Sequence, residues 1–213
     1  AAKVYRPRMF RNLRNDAMYR EGREILTGNG KALNKKDDRT MRAIGKKTAY
    51  GQQVSHTSWL MHEYKTLGTL FRIGASVPQP FAAGENAILM DYFGNESIGA
   101  PTLHEIDLPH KDAKRVFEAV MANIELMLQH DMIHGDLSAY NLLYWDNEVI
   151  LIDFPQVSIT DMNSNARMIL ERDITRVCDY FIPRGVKCDA SDITHGLWQK
   201  YVGKVSFYRE VDL

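Results

Sequence analysis

Three polar residues in the middle of the chain have the types and the spacing that phosphoryl transfer requires. Asp136 lies in the run His-Gly-Asp-Leu-Ser-Ala-Tyr-Asn at 134–141, Asn141 ends that run, and Asp153 follows an apolar run in Leu-Ile-Asp-Phe. One carboxylate can orient an attacking hydroxyl and accept its proton. The amide oxygen and the other carboxylate can hold Mg²⁺ against nucleotide phosphates. The pattern predicts an enzyme that uses ATP and Mg²⁺ to transfer a phosphoryl group.

The spacing of Asp136 and Asn141 is common in unrelated sequences and predicts little alone. It gains weight from His134-Gly135 in front of Asp136 and from the apolar strand that ends at Asp153. His134 has two interpretations, a catalytic acid-base group or a structural residue that bonds the loop backbone. We expect the structural role.

The elements around these residues can be predicted from periodicity. Residues 111–130 have an apolar stripe at helical spacing, and 134–141 follow as a loop. Residues 142–144 and 149–152 predict a hairpin. A hairpin there would return the chain so that Asp153 faces Asn141.

The rest of the chain gives weaker signals. Predicted elements are a strand end at 2–5, a helix over part of 8–26, a mobile stretch over 27–56, a helix over 58–72, a strand over 87–90, a helix capped by Asn163 or Ser164 and running to about 182, and a helix near 190–202.

Two residues upstream complete the predicted site. Lys3 would contact the α- and β-phosphates, and an acidic residue on a helix would hold it in place. Glu63 is the only carboxylate within 58–72. Taken alone, both are ordinary solvated charges, so their assignment depends on the motif downstream.

Length and composition place the chain among ordinary globular proteins. Its 213 residues, 45% of them hydrophobic and 25% charged, can bury one core or two small lobes. Cys178 and Cys188 show no zinc-ligand spacing, so we expect reduced thiols in a cytoplasmic protein. No apolar run is long enough for a membrane span, and no signal peptide is visible, so no membrane partner is expected.

Charge is distributed unevenly although the net charge is zero. Residues 1–47 contain 14 Lys and Arg against 5 Asp and Glu, and the remainder contains 13 against 22. Such a segment can contact nucleic acid, or it can be a solvated stretch that binds nothing. Residues 31–47 contain no aromatic side chain on which a base could stack, and both interpretations stay open.

The run 134–141, together with Leu-Ile-Asp-Phe-Pro-Gln at 151–156, resembles the RIO family of atypical protein kinases. Ordinary protein kinases have Arg, Lys and Gly where Gly135, Ser138 and Pro155 stand. Further similar segments are Ala2-Lys3-Val4-Tyr5, Ala100-Pro101-x-Leu103, and Arg172-Asp173 followed by Tyr180-Phe181, while Val-Tyr-Arg-Pro-Arg-Met-Phe at 4–10 is similar to the prokaryotic RIO-like members.

The resemblance implies an α+β, two-lobed, protein-kinase-like fold. A small β-rich N-lobe, incomplete here, would cover 1–90 and carry a basic insertion at about 14–57. A hinge would follow at 91–93, and a mostly helical C-lobe would cover 94–213.

The resemblance also implies a role for each site residue. Asp136 would be the catalytic base, and Asn141 and Asp153 the metal ligands, with Asp153 also a candidate aspartyl-phosphate acceptor. The nucleotide would be held by the Lys3–Glu63 ion pair, the backbone of Asp91 and Phe93 at the adenine edge, and Met90 behind it.

Three features bear on this resemblance. The glycine-containing loop expected before the Lys3 strand is not in the sequence, which we attribute to an N-terminal truncation. Lys3 and Glu63 are 60 residues apart, more than the family pattern has. No Ala-Pro-Glu motif follows Asp153, an omission that RIO proteins share.

Three functions remain open at this point. A RIO-type serine/threonine kinase or ATPase would act on a protein, on itself or on water. The family's link to small-subunit maturation fits contact of residues 1–47 with ribosomal RNA or a pre-ribosomal particle. The alternatives are a small-molecule phosphotransferase of the aminoglycoside or choline kinase type, and an ATP-binding assembly module without turnover.

Overall fold

The computed structural model describes residues 1–5, 23–34 and 36–202. Strands are β1 (Ala2–Val4), β2 (Pro80–Ala83), β3 (Ala87–Met90), β4 (Met132–Ile133), β5 (Leu142–Trp145), β6 (Glu148–Leu151) and β7 (Ser158–Ile159). Helices are α1 (Asp38–Gly45), α2 (Ala49–Arg72), α3 (His110–Gln129), α4 (Ala166–Phe181) and α5 (Ala190–Tyr201), with short 3₁₀ turns at Leu103–Glu105, Ala139–Asn141 and Ile182–Arg184.

The N-terminal part is an antiparallel sheet in the order β1-β3-β2 with α2 packed on it. Lys3 lies directly opposite Ile88 in the β1–β3 register. Side chains of opposed residues point to the same face of a sheet, and Ile88 is fully buried. The register therefore directs Lys3 to the covered face, toward the helix that carries Glu63.

Helix α2 is longer than the predicted 58–72. It begins at Ala49, where the Thr48 hydroxyl accepts a hydrogen bond from Gly51 N at 3.1 Å. A Cβ on Gly51 would lie 2.1 Å from the Ala43 carbonyl oxygen, so the glycine lets α1 and α2 approach closely. The expected mobile stretch over 27–56 is therefore wrong for 38–45 and 49–56, which are helical.

Other predictions near the N-terminus have different outcomes. Most of the helix predicted within 8–26, and most of the motif at 4–10, fall on 6–22, outside the described residues. Residues 23–26 are not helical. The strand at the start of the chain and the one at 87–90 are confirmed, whereas β2 was not predicted.

The C-terminal part is mostly helical. Helices α3, α4 and α5 pack on one another, and the α3 stripe of Val116, Val120 and Ile124 is buried. All three helices lie within two residues of their predicted bounds, but Asn165, not Asn163 or Ser164, precedes α4. Within the described ranges, no helix has the length and apolarity to span a membrane.

The β5–β6 hairpin forms as predicted. Its turn residues Asp146 and Asn147 have φ of 50° and 65°, the left-handed conformation that suits the twist of a two-residue hairpin. Beyond the Leu142–Leu151 pair, Ile152 N donates to Asn141 O at 3.0 Å. The hairpin thus brings the chain after β6 back to the loop that precedes β5.

Candidate active site

The loop that carries Asp136 begins with a sharp bend at Gly135. This glycine has φ of +84°, and a Cβ added there would lie 2.2 Å from the Gln156 carbonyl oxygen. A larger residue is excluded by both the backbone conformation and the close contact. This explains locally why glycine precedes the aspartate where ordinary protein kinases have arginine.

Two side chains of helix α4 hydrogen-bond the backbone at the same bend. Asp173 is 2% exposed, and its Oδ2 accepts a hydrogen bond from Gly135 N at 2.7 Å. Arg172 donates to Gly135 O. Burial raises the pKa of Asp173 to about 6, and the N–H groups of Gly135 and Leu137 together with Arg172 limit the rise.

His134 fixes the loop from the other side. Its Nδ1 accepts a hydrogen bond from Asp136 N at 3.3 Å, so Nε2 carries the proton and donates to Ile152 O at 3.1 Å. Burial lowers the pKa of His134 to about 4. The ring is neutral and engaged at both nitrogens, in agreement with the expected structural role.

Asn141 and Asp153 face the same space. The Asn141 side-chain nitrogen donates to Asp136 O at 2.8 Å, and this bond does not use the amide oxygen that is the predicted metal ligand. Asp153 has φ of +70°, a region that aspartate enters more readily than most residues. Its Oδ1 accepts a hydrogen bond from Lys3 Nζ.

The structure also brings Lys3 and Glu63 together across 60 residues of sequence. Lys3 Nζ lies 2.5 Å from Glu63 Oε1, and Tyr5 OH donates to Glu63 Oε2 at 2.7 Å. Burial disfavours the lysine charge, but the carboxylates of Glu63 and Asp153 outweigh it and raise the pKa of Lys3 above its ordinary value. The intervening residues therefore do not prevent the implied pair.

Sequence reasoning missed one contact. Arg176 of α4 places Nη1 2.8 Å from Asp136 Oδ1. A signal was present, because Arg176 lies four residues after Arg172 and three after Asp173, and both spacings place side chains on one helix face. The resemblance includes Arg172 and Asp173 but does not indicate that this face of the helix points toward Asp136.

A cavity of about 470 Å³ lies between the sheet, α2 and the hairpin. Every residue predicted to bind nucleotide or metal lines it: Lys3, Glu63, Met90, Asp91, Phe93, Asn141 and Asp153. Asp136 lies beside this set, bonded through its carbonyl to Asn141. The roles of these residues remain predictions.

The cavity has donors and acceptors that fit ATP and Mg²⁺. Asp91 N donates to Gln79 O, and Phe93 O accepts from Ala100 N. The Asp91 carbonyl and the Phe93 N–H are the other backbone groups of these two residues, and they offer the one acceptor and one donor that an adenine edge requires. Among the described residues no cluster of three or more His, Cys, Asp or Glu could hold a metal. Two oxygen ligands completed by phosphate and water are typical of Mg²⁺.

The family model for the RIO domain matches residues 24–193. The chain belongs to the RIO family. Its fold is therefore the two-lobed, kinase-like α+β fold that the resemblance implied. The exact division into 1–90, 91–93 and 94–213 stays a prediction.

Individual RIO proteins show moderate similarity. The chain is 31% identical over 143 residues to the RIO-type serine/threonine-protein kinase Rio1 of Methanocaldococcus jannaschii. The aligned region covers 67% of this chain and 48% of that protein. Rio1 of Haloferax volcanii is 28% identical over 193 residues, 91% of this chain and 59% of the relative. The chain thus spans about half the length of these relatives. The Cydia pomonella granulovirus kinase PK-1 gives a TM-score of only 0.37 at 16% identity, over 46% of this chain and 41% of that one.

Proposed function

We propose that this chain is a RIO-type serine/threonine kinase or ATPase that depends on ATP and Mg²⁺. It transfers the γ-phosphoryl group to a hydroxyl of another protein, to itself, or to water. The observation that carries the proposal is the convergence of Lys3, Asn141 and Asp153 on one cavity with Asp136 at its side. Relatives named as RIO-type kinases support the same reaction.

Asp136 is the general base of the proposed reaction. Its carboxylate orients the acceptor hydroxyl and takes its proton as the new O–P bond forms and the bond to the ADP oxygen breaks. The backbone at Gly135 and Asp136 is held by the side chains of His134, Asp173 and Asn141. Such a fixed carboxylate needs little reorganisation during transfer.

The nucleotide and metal are held by the other residues. Asn141 and Asp153 supply oxygen ligands to Mg²⁺, which neutralises charge on the phosphates when bound. Lys3, kept charged by Glu63, contacts the phosphates, and the Asp91–Phe93 backbone with Met90 holds the base. Asp153 is also the candidate acceptor if an aspartyl-phosphate forms.

The proposed partners include RNA of the small ribosomal subunit or its precursor particle, in the cytoplasm. In the described part of residues 1–47, six basic side chains are exposed: Lys31, Lys36, Arg39, Arg42, Lys46 and Lys47. Contacts with phosphates release counterions, so RNA binding should weaken steeply with salt. Salt-independent binding would contradict a phosphate-contact role for this segment.

The test of the main proposal follows the label of γ-labelled ATP in the presence of Mg²⁺. The protein is compared with Asp136→Ala and with Asp179→Ala, an exposed aspartate of α4. Label on the protein identifies a kinase, and its stability to acid or base separates a hydroxyl ester from an aspartyl-phosphate at Asp153. Free phosphate alone identifies an ATPase.

The remaining outcomes contradict the proposal. Nucleotide binding without either product would identify an ATP-binding assembly module. Turnover stimulated by aminoglycosides or choline, but not by protein or RNA, would identify a small-molecule phosphotransferase. Equal activity in Asp136→Ala would exclude that residue as the base.

A further inference from the structure

The loop at 134–141 has no positive charge of its own on the side of Asp136. Its sequence contains no Lys or Arg, and Ser138 stands where ordinary protein kinases have lysine. His134 is buried and neutral. Lys3, whose ammonium lines the cavity, is engaged by Glu63 and Asp153. A cation near Asp136 must therefore come from another element.

Arg176 supplies that cation from α4. Its Nη1 lies 2.8 Å from Asp136 Oδ1, and 39% of each side chain is exposed. The neighbouring Arg172–Asp173 pair is different, because Asp173 is only 2% exposed and bonds the loop backbone. The Arg176–Asp136 pair thus lies at the solvent-accessible edge, where an acceptor hydroxyl can reach it.

The position of Arg176 is set by the residues one turn earlier. Arg172 and Asp173 tie α4 to both the carbonyl and the N–H of Gly135. Ile174 and Val177 beside Arg176 are buried in the core. The backbone that carries Arg176 is therefore fixed relative to the backbone that carries Asp136.

The shape of the guanidinium suits a second contact. Arginine presents five N–H donors in a planar fork, and one of them is used by Asp136. In the described part of the chain, Asp136 is the one partner found for Arg176. The other donors can bind an anion, and a phosphoryl group arriving at the hydroxyl activated by Asp136 is such an anion.

We propose that Arg176 positions Asp136 and binds the phosphoryl group during its transfer to the acceptor. This inference rests on the proposed function and assigns to it a residue outside the loop and the cavity. The carboxylate still takes the proton of the acceptor, while the guanidinium stabilises charge on the transferring phosphoryl oxygens. An arginine in such a place can contribute a large part of the rate of phosphoryl transfer.

The test compares Arg176→Gln and Arg176→Lys with Arg167→Gln, an exposed arginine of the same helix. Total transfer, as labelled protein plus free phosphate, gives kcat and the KM for ATP. We expect Arg176→Gln to lower kcat about 100-fold, the typical loss of one transition-state donor. KM should change less than about twofold, since the residues lining the nucleotide cavity are intact. Arg176→Lys should recover part of the rate, and Arg167→Gln should match the wild type.

Chemical rescue distinguishes a direct role of the Arg176 guanidinium from a purely structural one, because a small guanidinium compound can restore kcat only in the first case. Methylguanidinium added to Arg176→Ala should restore part of kcat without changing KM, whereas methylammonium should restore less. Circular dichroism and thermal unfolding establish that each variant is folded. If Arg176→Gln does not fold, Arg176→Lys and the rescue of Arg176→Ala decide the question.

The outcomes separate the two proposals. An active wild type with unchanged kcat in Arg176→Gln overturns this inference alone. A higher kcat also overturns it, because Arg176 would then restrain Asp136. A wild type that transfers no label overturns the proposed function, and this inference with it.

Discussion

Asp136 and Asp153 are two aspartates of the candidate site, and each contacts a cation from a different part of the chain. Asp153 has a left-handed backbone and bonds Lys3 from β1, so its cation comes from the N-terminal lobe. Asp136 bonds Arg176 from α4, so its cation comes from the helical lobe. Asp153 lines the cavity proposed to bind nucleotide, and Asp136 lies beside that cavity. We expect the cation that each aspartate contacts, and not the residue type, to distinguish the two roles proposed for them.

The largest expected effect is a loss of kcat on substitution of Asp136, with little change in affinity for Mg-ATP. We expect Asp136→Asn to lower kcat by at least about 10³-fold, because the amide cannot accept the proton of the acceptor hydroxyl. Affinity for Mg-ATP should stay within about threefold, since Asn141, Asp153 and Lys3 remain. Single-turnover transfer and calorimetric titration measure the two quantities. If affinity falls as much as the rate, Asp136 belongs to the nucleotide site and the comparison fails.

Asp153→Asn should show the reverse pattern. We expect loss of the proposed carboxylate ligand to weaken Mg-ATP binding by about 100-fold, which corresponds to about 2.7 kcal/mol. Binding of ATP without Mg²⁺ should change much less, because the base contacts proposed at Asp91 and Phe93 do not involve Asp153. Titration with Mg²⁺ and with a chelator gives both affinities. An equal loss under the two conditions would show that Asp153 acts through Lys3 and not through a metal.

Gly135 connects the two aspartates, because its bend is closed by Gln156, just after Asp153. Gly135→Ala should lower the free energy of unfolding by about 2 kcal/mol or more, from the positive φ and the overlap with the Gln156 carbonyl. Gly74→Ala is a matched control, since Gly74 has a similar φ of +86° and nothing lies within 4 Å of a Cβ there. Urea denaturation measures both variants. A neutral Gly135→Ala would mean that the two loops can separate without cost.

The sequence predicted the parts of the site that lie close together along the chain. The 134–141 loop, its preceding helix and the β5–β6 hairpin follow from periodicity and turn residues, and these alone bring Asp153 to Asn141. Helix α1 and the first turns of α2 could not be predicted this way. Their sequence is polar, and they depend on caps at Asp37 and Thr48 and on the contact of Gly51 with Ala43. Arg176 was missed because its partner is 40 residues away and local patterns give no direction between elements.

Two buried groups that contact the 134–141 loop, His134 and Asp173, respond to acid pH in opposite directions. Burial lowers the pKa of His134 from its ordinary 6.5 to about 4, so the unfolded chain takes up a proton first and the folded state loses stability as the pH falls between these values. Asp173 acts in the opposite sense. Its pKa is raised from 3.8 to about 6, so the folded state takes up a proton first and gains stability as the pH falls from about 6 to 4.

Asp173→Asn removes the opposing contribution and leaves that of His134. We expect its free energy of unfolding to fall more steeply than that of the wild type from about pH 6 to pH 4, by about 1–3 kcal/mol at about 1.4 kcal/mol per pKa unit. Urea denaturation across this range measures the slope, with Asp179→Asn on the exposed side of α4 as the control. Parallel slopes in Asp173→Asn and wild type would mean that the Gly135 N–H and Arg172 fully offset burial. The contacts of Asp173 and Arg172 with Gly135 would then be as strong in acid as at neutral pH. Asp136 and Asp153 would differ only in the cations that they contact, Arg176 and Lys3.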